Sequence, residues 1–223
     1  MKHGLLLCGG IGERYAKSIG ASPPFPKHLE RAQGKIILEQ SIHDMVELLS
    51  PNLITIVTNA QFHDKYLDEL RRIQRKTPDI SLSIAIKPTL VDIDFPYEGI
   101  AKKFDSIIFN DLNLRSISPS KDSLFIVAPG DQVINWGASN LKLSKFEISN
   151  ELKHLNYRDL IAVGDKDLRP MYYIGSLQAL EHSDYSILPL DQMQIFNINT
   201  REDLISANRL MGEMSQRIGG ELK

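Results

Sequence analysis

Four short apolar runs, each stopped by a turn-forming residue, constrain this chain more than any other feature. They are Gly4–Cys8 before a run of glycines, Leu53–Val57 with Asn59 just beyond, Ile80–Ile86 before Pro88, and Ser123–Ala128 before Pro129-Gly130-Asp131. Continuous apolar runs of this length predict strands buried on both faces. Helical spacing fills the gaps. Lys35–Leu49 carries Ile37, Leu38, Ile42, Met45, Val46 and Leu49 on one side and ends at Pro51. Phe62–Lys76 is basic and amphipathic, with Tyr66, Leu67, Leu70 and Ile73 on one face, and 99–109 reads as a third helix. A β-α-β-α-β-α-β order requires a parallel sheet with right-handed crossovers, so the expected fold is a three-layer α/β/α domain with a mostly parallel, mixed sheet.

The second half is less regular. Leu141–Ile148 alternates apolar and polar residues and reads as a strand, as do Leu160–Val163, Met171–Gly175 and Gln194–Ile198. Ser176–His182 reads as a short helix. Thr200-Arg-Glu-Asp203 has the form of a capping box before a closing helix over Leu204–Met214. The 223 residues fit one domain, with 1–135 and 136–223 as its two halves.

Composition narrows the partners. The net charge is -2, so no global positive field holds nucleic acid or an anionic membrane. The single cysteine, Cys8, permits no intrachain disulfide. The apolar run Leu5–Cys8 is too short for a signal peptide core or a membrane span, so a soluble, cytoplasmic protein is the default expectation.

The first strand runs into Gly9-Gly10-Ile11-Gly12-Glu13-Arg14. Glycines there let backbone N–H groups approach a phosphate or a base. The dinucleotide fingerprint fails because Tyr15 stands where its third glycine belongs. The P-loop fails because no Gly-Lys-Ser/Thr occurs. What remains is G-G-x-G-x-R, then a proline-rich gap, then Pro26-Lys27, then Gly34-Lys35 before a helix.

This combination resembles the nucleotidyltransferases of GT-A-like, Rossmann-like fold. That group includes molybdenum cofactor guanylyltransferases, adenosylcobinamide-phosphate guanylyltransferases, methylerythritol-phosphate cytidylyltransferases and sugar-1-phosphate nucleotidyltransferases. The resemblance implies that Leu7, Gly9, Gly10 and Gly12 wrap a nucleoside triphosphate and that Arg14 and Lys27 contact its phosphates. A cation is what the chemistry needs, because attack on the α-phosphorus builds charge on its oxygens and on departing pyrophosphate. The link Tyr15–Phe25 departs from the shorter, glycine-bearing link of the guanylyltransferases, which bears on base choice.

Asp131 lies at the carboxyl end of a buried strand, where open parallel sheets bind their ligands. The family places a metal-binding Asp in a Gly-Asp pair here, so the resemblance implies Mg²⁺ on Asp131. Asn199, in Asn197-Ile-Asn199-Thr200, is the second candidate ligand through its side-chain oxygen, and a similar run precedes the last helix in the family. Asn197 is balanced between ligand and turn. Asn59 is open between a base or ribose contact and a turn, and Gly99, opening a helix, is a further nucleotide-binding candidate.

The resemblance implies transfer of a nucleoside monophosphate to a phosphorylated small molecule, with a homodimer as one assembly. Two alternatives stay open: a GT-A-type glycosyltransferase and a nucleotide-binding protein without turnover. The former calls for Asp-x-Asp; Asp131-Gln132-Val133 lacks it, while Asp92-Ile-Asp94 and Asp165-Lys-Asp167 have the spacing. Arg169-Pro170-Met171-Tyr172-Tyr173 is divided between an acceptor-site lining and core packing. The six histidines show no zinc spacing.

Overall fold

The computed structural model describes residues 1–10, 12–22, 24–87, 123–136, 141–156, 158–180, 185–190 and 193–221. The predicted helix at 99–109, with Gly99, and the Asp92/Asp94 pair lie outside them.

Strand β1 (Lys2–Cys8) leads through the glycine turn into a short helix, α1 (Glu13–Ser18). The 3₁₀ turn Lys27–Leu29 and a two-strand ribbon, β2 (Arg31–Ala32) and β3 (Lys35–Ile36), precede α2 (Ile37–Leu49). Then follow β4 (Leu53–Asn59), α3 (His63–Lys76), β5 (Ser81–Lys87), β6 (Leu124–Pro129) and β7 (Gln132–Asn135). The remainder is α4 (Leu141–Leu152), β8 (Leu160–Asp165), β9 (Pro170–Gly175), α5 (Leu177–Leu180), β10 (Ser186–Leu190), β11 (Gln194–Asn197) and α6 (Arg201–Glu221).

Seven strands form one sheet in the order β10-β8-β9-β6-β1-β4-β5. Among the described residues β9 alone runs against the rest, so the sheet is mostly parallel, as expected. Alternation along β1 divides the core. Leu6 and Cys8 face α2, α3 and α4, while Leu5 and Leu7 face the side carrying α5. A third cluster joins Tyr15 of α1 to Ile37, Val133, Ile198, Leu204 and Ala207, so the amino-terminal turn and the carboxyl-terminal helix pack on each other.

One strand expectation is corrected. Residues 141–148 are helical, in α4. The apolar alternation misleads because Leu143 and Phe146 point to solvent, at 50% and 68% exposure, while Ser144 and Ile148, one helical turn apart, point inward. The elements α1, β7 and β10 are not predicted by the sequence pattern. β10 lies at the sheet edge and carries Pro189, which a ladder tolerates there and which lowers its strand signal. The closing helix begins where the capping box predicts. The Asp203 N–H donates to Thr200 Oγ1 (3.2 Å), and the Asp203 carboxylate accepts the N–H groups of Asn199 (2.9 Å) and Thr200 (2.8 Å).

Candidate functional site

Register brings the strand ends to a common rim. Cys8 of β1 pairs with Thr58 of β4, and Leu7 pairs with Pro129 of β6. The glycine turn, Asn59 and Gly130-Asp131 therefore leave the sheet side by side. The Gly130 N–H donates to the Leu7 carbonyl (3.0 Å), fixing the Asp131 turn to the end of β1. Gly130 is required by space, since a Cβ would sit 2.3 Å from Cys8 Sγ and 3.2 Å from the Leu7 carbonyl oxygen. The Ile198 N–H donates to the Asp131 carbonyl (2.9 Å) and draws the chain before α6 to the same place. With Asp203 holding the Asn199 N–H, the Asn199 side chain is set beside Asp131.

Lys27 closes the cluster. Its Nζ donates to Asp131 Oδ2 at 2.6 Å and to Asn199 Oδ1 at 3.0 Å. Only 9% of Lys27 is exposed, so this is a largely shielded, charge-assisted contact. The approach is stiffened by Pro26, whose carbonyl accepts the Leu29 N–H (2.9 Å) in the 3₁₀ turn. Under Lys27, the buried His28 Nδ1 shares a hydrogen bond with the Tyr66 hydroxyl of α3. Burial pushes the His28 pKa down to about 4, so the ring is neutral at pH 7 and adds no competing charge. Burial also raises the Cys8 thiol, with Asp131 as the second cause, so Cys8 is a protonated core residue.

The glycine turn is bent as its composition predicts. Gly12 has φ 69°, the left-handed region, and caps α1 as the Ala16 N–H donates to its carbonyl (2.8 Å). A Cβ there would stand 2.8 Å from the Phe25 carbonyl oxygen, so Gly12 lies against the segment that leads to Lys27. Asn59, buried at the end of β4, spans the turn with long bonds from Nδ2 to the carbonyls of Gly9 (3.4 Å) and Gly10 (3.5 Å). Its Oδ1 is shielded from solvent and has no hydrogen-bond partner among the described residues.

The structure thus brings Gly12, Lys27, Asn59, Asp131 and Asn199 to one rim, with Gly9 and Gly10 between. The Leu7 side chain is in the core, and its carbonyl serves the Asp131 turn. Arg14 is exposed on α1 and makes no ion pair among the described residues, Lys17 is likewise exposed, and Asn197 points outward on β11. The acceptor reading of Arg169-Pro-Met-Tyr-Tyr loses its tyrosines, because Tyr172 and Tyr173 are buried in the core. Asp165 closes the β8–β9 turn by accepting the N–H groups of Asp167 (3.1 Å) and Arg169 (3.0 Å), so Asp165-x-Asp167 is a structural turn.

Sequence reasoning missed the His28–Tyr66 support, because a histidine beside a lysine gives no signal of its own. It also missed Lys65, whose Nζ lies 5.4 Å from the centroid of Phe25, the residue abutting Gly12.

The donors suit a hard cation. Asp131 offers a carboxylate and Asn199 a carboxamide oxygen, and Lys27 already draws the two together around one positive charge. Among the described residues no three His, Cys, Asp or Glu side chains group to hold a metal, so an ion here needs further oxygens from elsewhere. No helix among them is long and apolar enough to cross a membrane.

No protein-family model and no curated protein matches the chain. Solved structures do match its fold. One, described as a glucose-1-phosphate thymidylyltransferase from Bacillus anthracis in complex with sucrose, superposes with a TM-score of 0.61 at 11% identity over 95% of both chains. The inositol-1-phosphate CTP transferase of T. maritima gives 0.59 at 11% identity over 96% of both. The 4-diphosphocytidyl-2C-methyl-D-erythritol synthase of Anaerococcus prevotii gives 0.57 at 12% identity over 95% of this chain and 98% of that one. The chain shares the fold of these proteins along nearly its whole length.

Proposed function

We propose that this protein is a metal-dependent nucleotidyltransferase, moving a nucleoside monophosphate from a triphosphate to a phosphorylated small molecule and releasing pyrophosphate. The observation that carries the reading is the meeting of Lys27, Asp131 and Asn199 beside the glycine turn, from three distant parts of the chain. Three fold neighbours, named as a glucose-1-phosphate thymidylyltransferase, an inositol-1-phosphate CTP transferase and a 4-diphosphocytidyl-2C-methyl-D-erythritol synthase, support it.

In this reading residues 1–135 take the nucleotide and 136–223 the acceptor. Backbone N–H groups of Gly9, Gly10 and Gly12 face the triphosphate, and Arg14, exposed and uncommitted, is free to reach it. Asn59 Oδ1, a shielded acceptor, suits an N–H of the base or a ribose hydroxyl. An acceptor phosphate oxygen attacks the α-phosphorus in line; that P–O bond forms as the bond to the bridging oxygen of pyrophosphate breaks. The acceptor is already ionised, so no general base is needed, and the protein contributes position and charge. Lys27 neutralises charge on the phosphate oxygens. Asp131 and Asn199 would hold Mg²⁺, which supplies Lewis-acid charge stabilisation shared with the phosphates.

A glycosyltransferase is the weaker reading. The residue after Asp131 is the buried Gln132, and Asp165 gives Oδ1 to two N–H groups of its own turn while Oδ2 faces Arg169.

The test is pyrophosphate release with each nucleoside triphosphate against a panel of phosphorylated sugars, polyols and cofactor precursors. Turnover that depends on a divalent ion is expected with one pairing. Absence of any metal-dependent triphosphate binding or turnover overturns the reading.

A further inference from the structure

Two hydrogen bonds at Ser18 join the first helix to the last. The Ser18 hydroxyl donates to the Tyr15 carbonyl of its own helix (2.7 Å) and accepts the N–H of Arg201, the first residue of α6 (2.8 Å). A hydroxyl has one donor and two acceptor positions, so Ser18 serves both segments at once. Tyr15, one turn back on α1, is buried in the cluster that holds Ile198 and Leu204, on either side of this joint.

The other end of α1 meets the other arm of the rim. Gly12, its cap, lies against the Phe25 carbonyl, two residues before Lys27. Ser18 meets Arg201, two residues after Asn199. The six residues of α1 span about 9 Å. They therefore space the segment bearing Lys27 from the segment bearing Asn199, whose side chains meet at 3.0 Å.

The other holds on the Asn199 segment leave one freedom. Asp203 takes the N–H groups of Asn199 and Thr200, but it belongs to the same turn and moves with it. The Ile198 N–H fixes the entry to Asp131. Further along α6, the Gln33 N–H donates to Asn208 Oδ1 (2.7 Å) and its Nε2 to the Asn208 carbonyl (2.6 Å). Asn208 is about two helical turns past Arg201. Between these anchors a rotation of the first turn would swing Asn199 away from Asp131, and the Arg201 bond to Ser18 opposes that rotation.

We infer that Ser18 is a positioning residue for the rim, which through the Arg201 N–H holds the Asn199 side-chain oxygen on the cation position it shares with Asp131. The inference rests on the transferase reading for what the cation does there, and on the geometry alone for where Asn199 is held. Ser18 is half-buried, and one net hydrogen bond of this kind shifts a local equilibrium about fivefold. Ser18 thus tunes the rim and does not create it.

The test uses the whole protein and needs no turnover. Amide exchange at Arg201 in the metal-free protein reads the bond itself: Ser18→Ala should speed it about fivefold and Ser18→Thr, which keeps the hydroxyl, should restore it. Mn²⁺ affinity is then followed by electron paramagnetic resonance in the Lys27→Met protein, where no ammonium competes for the two oxygens. Adding Ser18→Ala should weaken Mn²⁺ about threefold to fivefold, and Ser18→Thr should leave it unchanged. With Asn199→Ala also present, Ser18→Ala should have no further effect, because the residue it acts through is gone. A purely structural role would lower stability and leave the Mn²⁺ affinity of the folded protein alone. Unchanged Mn²⁺ affinity in Ser18→Ala, an equal loss when Asn199 is already alanine, or no Mn²⁺ binding at all overturns the inference. Absence of pyrophosphate release with Mn²⁺ results as expected overturns the transferase reading and leaves the role of Ser18 standing.

Discussion

Two carboxylates end strands of the same sheet beside a basic side chain, and they are built in opposite ways. At the β8–β9 turn every partner of Asp165 is near in sequence. The acid takes the N–H groups of residues 167 and 169 and faces the Arg169 guanidinium at 2.8 Å. At the rim Asp131 takes nothing from its own turn through its side chain. Its partner Lys27 is 104 residues away, and Lys27 reaches 172 residues onward to Asn199. A carboxylate spent on its own backbone shapes a loop. One held by distant chain segments costs loop-closure and desolvation free energy that shaping a turn does not require. The difference separates a structural acid from an assembled site, and five predictions test it.

The largest expected effect is on the rim. Asp131→Asn keeps the volume and one bond to Lys27, so stability should change by under about 1 kcal/mol while pyrophosphate release falls about a thousandfold. Activity assays and denaturant unfolding on one preparation check both halves. Retention of full activity would remove Asp131 from the mechanism.

Acid comes next, because burial lowers both His28, under the rim, and His3, within the sheet, to a pKa of about 4. A histidine lowered from about 6.5 binds its proton more readily in the unfolded chain. Stability should therefore be level above pH 6.5 and fall between pH 6.5 and 4, by as much as about 3 kcal/mol for each ring. Denaturant midpoints across that range measure the slope, and His28→Asn should remove the rim's share. A flat profile would show that neither ring is shielded as the structure has it.

At the hairpin the expectation inverts. Asp165→Ala removes the carboxylate that holds two N–H groups of an exposed turn and should cost about 1 kcal/mol, with KM for either substrate unchanged in the folded fraction. A selective loss of turnover without loss of stability would mean that the hairpin belongs to the site.

How much of this was legible follows from the same distinction. Strands β1, β4, β5 and β6 and helices α2 and α3 were readable because their apolar periodicity is local. Thr200 and Asp203 were readable because a capping box spans four residues. The Gly-Asp pair, Pro26-Lys27 and Asn199 could be nominated by resemblance, but the Lys27–Asn199 contact depends on the Ile198-to-Asp131 backbone bond, which no local pattern encodes. α4 was misread because two of its large apolar residues, Leu143 and Phe146, face solvent, against the rule that periodicity reports burial. His28 and Tyr66 meet only through the packing of α3 on the rim.

Glycines refine the contrast further. Gly12 and Gly34 both have positive φ, 69° and 77°, but only Gly12 has a backbone atom where a Cβ would go. Both alanine variants should lose about 1 kcal/mol to the left-handed conformation. Gly12→Ala should in addition push Phe25 away, displace the turn and weaken triphosphate binding about tenfold, measured by calorimetry. Equal binding by the two variants would detach the glycine turn from the nucleotide.

The smallest effect is the most discriminating. Lys27 occupies with its ammonium the position between Asp131 and Asn199 that a divalent ion would take, at 2.6 and 3.0 Å from their oxygens. Lysine and metal must then compete for the same two ligands when no nucleotide is bound. Lys27→Met removes the charge but keeps the stem, so Mn²⁺ binding without nucleotide, followed by the loss of its free electron paramagnetic resonance signal, should tighten severalfold even though turnover falls. Arg169→Met at the hairpin should leave Mn²⁺ affinity where it was, because Asp165 Oδ1 stays committed to the N–H groups of Asp167 and Arg169 and Oδ2 alone is a single oxygen ligand. If Lys27→Met weakens Mn²⁺ instead, the lysine is a scaffold for the metal ligands rather than their resting counterion. The rim and the hairpin would then differ in the reach of their contacts and not in the exchangeability of their cations.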